Sequence, residues 1–137
     1  MDKFEKLKAL KSTDLGLFNL KKKIAYGKVV KIYSANKCQI IFGLNNLIFK
    51  FNCKLNNTRP SDDSDKSDLK NYVSNHDDIE INTKLIKIIC NQFDKDGFLL
   101  IDLFDNELCV NTKLIADKKL LIHNYDIEEL FDFDSTN

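Results

Sequence analysis

Residues 47–55 alternate without a break. Leu47, Phe49, Phe51, Cys53 and Leu55 fall on one side, and Ile48, Lys50, Asn52 and Lys54 on the other. A period of two over this length is a β-strand with one face in a core and one toward water. Such a strand is not stable alone and must find partners. The residues before it supply two. Residues 24–33 carry Val29, Val30, Ile32 and Tyr33, which favour strand, and residues 37–42 place Cys38, Ile40 and Phe42 on one face. Ser34-Ala35-Asn36 and Gly43-Leu44-Asn45-Asn46 are turn sequences between them. The three segments form a β-meander.

Two further strands follow. Leu85, Ile86, Ile88 and Ile89 mark residues 84–91, and residues 98–104 return after the turn Asp94-Lys95-Asp96-Gly97. Between the two sets, Asn56 to Pro60 reads as a loop and Ser61 to Asp68 as an acidic, solvated segment. Leu69, Tyr72 and Val73 support a short helix there. Val110, Leu114, Ile115 and Leu121 predict a helix over 110–121. Asp126 and Glu129 have the spacing of a capping box at the start of a last short helix. Phe4, Leu7 and Leu10 predict another over 1–11, with Asp2 as its N-cap. Three strands, a helix, two strands and helices can close as a five-stranded barrel with helices outside, which removes the exposed edges. That is the OB-fold pattern, of α+β class. The organisation expected is an N-terminal extension over 1–22, the barrel domain over 23–125 and a C-terminal helix or tail over 126–137.

The net charge of zero is the sum of two unlike halves. Residues 1–60 hold thirteen basic residues against three acids, or +10, and residues 61–137 hold eight against eighteen, or −10. The first half can attract phosphate. The bland alternative is that the two sets face each other and solubilise the domain. No apolar run is long enough to span a membrane, and the start of the chain lacks a secretory apolar stretch, so an intracellular protein is expected. Cys38, Cys53, Cys90 and Cys109 show no metal-ligand spacing, and with only His76 and His123 beside them they read as buried free thiols. Neither histidine has a triad-like partner. Asp94-Lys95-Asp96-Gly97 fails as a calcium loop, because Leu103 stands where that loop needs a glutamate.

The chain resembles the staphylococcal-nuclease-like (thermonuclease) family over about residues 24–122. Three stretches carry the resemblance: the meander from Gly27-Lys28-Val29-Val30-Lys31-Ile32 to Leu55, the hairpin from Phe93 to Phe104, and Val110-Asn111-Thr112-Lys113-Leu114-Ile115. The resemblance implies hydrolysis of phosphodiesters with one Ca²⁺. Two carboxylates would hold the metal, a glutamate would activate water and two arginines would neutralise the phosphate. The matching positions here are different. Asn36 stands for one metal-binding aspartate, with Lys37 beside it. Lys54 stands for the first arginine and Phe98 for the second. Without a gap, Arg59 and Asp62 stand for the second aspartate and the glutamate; with a one-residue gap, Thr58 and Ser61 do. Neither alignment restores the site.

The function expected is a catalytically inactive nuclease-like module. It would bind single-stranded nucleic acid, or a protein partner, through the former cleft, with no membrane association. Lys50, Lys54 and Arg59 would contact phosphate, and Tyr33 and Phe98 would supply stacking for bases, unless Phe98 seals the cleft. No cofactor is expected, and Ca²⁺ enters only if an active nuclease with rearranged ligands is the true alternative. A purely structural or protein-interaction module is the third reading, as in Tudor-associated copies of the family.

Overall fold

The computed structural model describes residues 20–130. The expected helix over 1–11 and most of the expected C-terminal tail lie outside those residues. The meander is present as β1 (Ile24–Ser34), β2 (Lys37–Leu44) and β3 (Leu47–Leu55). Ala35-Asn36 connect the first pair. Asn45 and Asn46, at φ of 54° and 66°, connect the second, since asparagine tolerates the left-handed region that a tight hairpin requires. The expected turn therefore starts two residues later than Gly43, and β2 keeps Leu44 in register with Leu47.

β1 is long and irregular. Its pairing with β2 shifts register between Val29 and Lys31 and again between Ile32 and Ser34. These irregularities increase twist and let one strand serve two neighbours. Its first part, Ile24–Gly27, also pairs antiparallel with β5 (Ile86–Phe93). β5 pairs antiparallel with β6 (Leu99–Asp105), and Cys53–Leu55 of β3 pair in parallel with Leu99–Ile101 of β6. That last contact closes a mixed five-stranded barrel of β1, β2, β3, β5 and β6. With helices packed outside it, the chain is an α+β protein of the OB-fold-like class.

Three expectations change at the edges. Residues 58–60, read as loop, form β4 (Thr58–Pro60), and β7 (Leu108–Cys109) adds to β6. The helix expected over 110–121 stops early as α2 (Val110–Ala116), because Lys118 turns left-handed at φ 62°. Leu120–Ile122 then form β8 antiparallel to β4, which leaves Leu121 exposed rather than on a buried helix face. The predicted start at Asp126 gives a short 3-10 turn, Ile127–Glu129, with the Asp126 N–H donating to Glu129 Oε1 at 3.1 Å.

α1 (Lys66–Val73) buries Leu69 and Val73 against the barrel. Part of the acidic segment forms its cap. Asp65 accepts from the Ser67 N–H at 2.8 Å, and Asp68 accepts from the Asp65 N–H at 2.9 Å, completing a capping box. Hydrogen bonds from Ser67 hold the Asp65 carboxyl below its ordinary range. In the core, Val29, Cys38, Ile40, Cys53, Leu55, Ile88, Cys90, Ile101 and Leu103 are completely buried. Cys38, Cys53 and Cys90 are buried free thiols, and Cys109 is half-buried. Asn111, within the 110–115 stretch that carries the resemblance, is a buried amide. It accepts from the Leu103 N–H at 3.0 Å and donates to the Ile101 carbonyl at 3.0 Å, tying α2 to β6.

Candidate nucleic-acid interface

The outward faces of β1, β2 and β3 form one surface ordered by strand register. Lys28, Ile41 and Lys50 make one cross-strand row. Lys31, Gln39 and Asn52 make the next, and Lys37 lies opposite Lys54 in the last. No Asp or Glu occurs between residues 15 and 61, so acids from the strands themselves cannot neutralise this surface. Among the described residues, Lys28, Lys31, Lys37 and Lys50 have no ion pair. The Tyr33 hydroxyl donates to Asn52 Oδ1 at 2.8 Å, and Gln39 Nε2 donates to the same oxygen at 3.3 Å. Lys31 Nζ lies 5.2 Å from the centre of the Tyr33 ring. The surface is thus cationic, carries a held aromatic ring and presents amide groups beside it.

At the β2–β3 end of this face, two ammonium groups are brought together. Directly opposed like charges destabilise a sheet. Here the Lys54 ammonium bonds Asp94 Oδ2 at 2.8 Å and lies 4.8 Å from the Phe98 ring centre, while Lys37 lies 5.5 Å from the same ring. Lys54 and Asp94 are 14% and 4% exposed, so the pair is nearly dry. Asp94 Oδ1 also accepts from the N–H groups of Asp96 and Phe98 at 3.0 and 2.9 Å, which shapes the β5–β6 turn. Removing one partner of a buried pair strands the other charge. Asp94→Ala is expected to cost about 3 kcal/mol in urea denaturation. An unchanged midpoint would show that the pair contributes nothing.

The four expected contacts therefore separate. Lys54 and Phe98 meet at one end of the face, and Lys54 is neutralised by Asp94. Lys50 shares their face, is exposed and stands four residues along the same strand. Arg59 is exposed on β4, in the two-stranded sheet with β8. Lys31, Tyr33 and Gln39 complete the surface. Only the β1–β2 register, with its shift after Val29, puts the first two on the same side as Lys50.

Beside the Lys54–Asp94 pair lies a cleft of about 280 Å³ lined by Lys54, Asp94, Lys95, Asp96, Tyr125 and Glu129. The Tyr125 hydroxyl is buried there, without a hydrogen-bond partner among the described residues. Burial, then the carboxylates of Asp94 and Glu129, push it up to about 12. Its ring meets His123 edge-on at 4.8 Å, and His123 Nε2 lies 2.9 Å from Glu129 Oε2. That bond holds the Glu129 carboxyl below its ordinary range.

Asn36 is 2% exposed, and its side-chain amide donates to the Thr58 carbonyl at 3.2 Å and to Thr58 Oγ1 at 3.4 Å. Its Oδ1 accepts from Ser34 Oγ at 3.0 Å. This cluster is neutral and bonded to itself. A hard cation such as Ca²⁺ requires several anionic oxygens, and the residues present do not fit one. Among the described residues, no group of three His, Cys, Asp or Glu side chains is placed to hold a metal. None of the described helices is long and apolar enough to cross a membrane. No protein-family model matches the chain, and no curated protein is similar enough in sequence to count as a relative.

Proposed function

We propose that the chain is a nuclease-like OB barrel that binds single-stranded nucleic acid without cutting it. The observation that carries this is the acid-free outward face of β1–β3. It presents Lys28, Lys31, Lys37 and Lys50 around Tyr33, Gln39 and Asn52. Lysines that track a backbone, with an aromatic platform among them, are what a single strand requires. A duplex offers no free base faces to such a platform. Phe98 is half-buried under two ammonium groups, so its ring is the lesser platform and Tyr33 the greater.

The likeness to staphylococcal nucleases is part of this proposal. It is supported by Asn36 and Thr58, which stand for the two metal-binding carboxylates in the one-gap alignment and lie in contact across the chain. Their neutral chemistry favours a module that has kept the fold and not the metal. An active nuclease needs carboxylates beside Asn36. Asp65 and Asp68 are used in the α1 cap, and Asp94 is paired with Lys54.

The test is a titration of labelled single-stranded DNA at two salt concentrations, with Ca²⁺ or with EDTA, followed for binding and for cleavage. Salt-sensitive binding without cleavage is expected. The triple variant Lys31→Ala, Lys37→Ala, Lys50→Ala spares the structural Lys54. It should weaken binding at least tenfold and lower the salt slope by about 2, at roughly 0.7 for each phosphate no longer neutralised. Unchanged binding by that variant would remove the face from consideration, and metal-dependent cleavage would overturn the proposal.

A further inference from the structure

The barrel closes over only part of β3. Cys53–Leu55 pair with β6, whereas among the described residues Leu47–Asn52 pair with β2 alone. On their other side, no backbone hydrogen bond is made among the described residues, which leaves N–H and C=O groups for a further strand. Leu47 and Ile48 are 60% and 82% exposed. The inward side of this free edge is aromatic. Phe49 and Phe51 stack at 5.8 Å, both lie against Phe42, and Phe93 meets Phe51 edge-on at 5.4 Å. Phe49, Phe51 and Phe93 remain half-exposed. The outward side carries Lys50, without an ion pair among the described residues, in the same row as Lys28.

An open, apolar strand edge is a template for another strand, and proteins usually blunt it. Here the blunting is a single charge. Alternation then dictates what fits. A strand added to this edge has every second side chain over the Phe49–Phe51 row and the others beside Lys50. Aromatic residues suit the first set and acids the second. A second copy of β3 meets the aromatic requirement but brings further lysines to a face that already lacks acids, so its charge is wrong. We propose that the free edge of β3 binds an extended peptide of a partner protein, alternating aromatic and acidic residues, by strand addition.

The experiment uses the full chain and a labelled hexapeptide alternating phenylalanine and aspartate, followed by fluorescence anisotropy in the absence of nucleic acid. Saturable, salt-sensitive binding is expected, with slowed amide exchange over residues 47–52. Lys50→Glu, an exposed change, should weaken binding about tenfold. The same peptide methylated on alternate backbone nitrogens should not bind; equal binding by it would overturn strand addition. Equal binding by a peptide alternating phenylalanine and lysine would overturn the charge selection. Two other occupants have their own signatures. Concentration-dependent dimerisation abolished by Lys50→Glu or Ile48→Lys would assign the edge to a second copy. Residues 131–134, Phe-Asp-Phe-Asp in sequence, carry the same alternation. If Asp132→Lys with Asp134→Lys tightened peptide binding tenfold, the edge would belong to the chain's own segment, and a partner would be ruled out. Single-stranded DNA binding by the triple lysine variant is read separately, so the strand-addition result stands or falls apart from the nucleic-acid proposal.

Discussion

Gly27→Ala is expected to destabilise the chain by about 3 kcal/mol or more, a very large effect for one added methyl group. Gly27 lies in β1 where that strand pairs with both β2 and β5, opposite Phe42 on one side and Ile86 on the other. A Cβ there would stand 2.1 Å from the Ile41 carbonyl oxygen, 2.7 Å from Phe42 Cβ and 2.9 Å from Phe42 Cα. These atoms are backbone or fixed to it, so no rotamer change relieves the clash. Relief requires β2 to move away from β1, which breaks the ladder. Gly43 is the control. A Cβ there meets only the Leu47 carbonyl oxygen, at 3.8 Å, an ordinary contact. Gly43→Ala should therefore fall within about 0.5 kcal/mol of the parent. Urea denaturation of the two variants decides it. Equal midpoints would mean that β1 and β2 do not approach this closely.

The meander was legible because its signal is local. Alternation over 47–55 fixes which side chains face the core, and the observed burial follows it, from Cys53 and Leu55 inward to Lys50 and Asn52 outward. The hairpin at Asp94 was legible for the same reason: Asx-turn chemistry acts within four residues. What was not legible depends on residues far apart in the chain. Leu120–Ile122 continue a helical pattern in sequence, yet β4 offers them a strand edge and the left-handed turn at Lys118 releases them to it. The sequence carried no glycine there to announce the stop. The partner of Lys54 is forty residues away, and the Asn36–Thr58 contact spans twenty-two. For the candidate site, lysine-rich composition pointed to the three strands that carry the cationic face. It did not separate Lys54, used to hold the β5–β6 turn, from Lys50, free on the same face. Tyr33 was named only as a possible platform, because a register shift inside β1 decides which way it points.

The surface and the core make opposite demands on the same three strands. Outward positions concentrate ammonium groups that repel one another, and burial at the inward positions must offset that repulsion. In β3 the offset is uneven. Cys53 and Leu55 are fully covered, while Phe49 and Phe51 are only partly covered. The end of β3 that closes the barrel is therefore the stable end. The open end is the part expected to exchange its amides first, having among the described residues only one neighbouring strand to hold it.

Raising the pH above 9 is expected to unfold the chain over a narrow range, and the cause is the buried thiols. Cys38 and Cys53 face each other across β2 and β3. Burial alone pushes the Cys38 thiol from its ordinary 9.0 up to about 12 and Cys90 up to about 11. Cys53 is raised as well, first by burial and then by the other two thiols. The sign follows from proton counting. Below pH 9 both folded and unfolded chains hold these protons, and stability is unaffected. Above pH 9 the unfolded chain releases them and the folded chain does not, so each further pH unit favours unfolding by about 1.4 kcal/mol per thiol. At pH 10.5, Cys38 and Cys90 together would remove about 4 kcal/mol, a large part of what a domain of this size has. Tyr125, raised to about 12, adds to the same slope above pH 10. Circular dichroism and thiolate absorbance, recorded together from pH 8 to 11.5, test this. The absorbance of the buried thiols should rise only as the strand signal collapses. Cys38→Ala, although less stable at neutral pH, should show a shallower loss of stability above pH 9. If the fold persists while all four thiols ionise, the three core cysteines are not buried as the barrel requires.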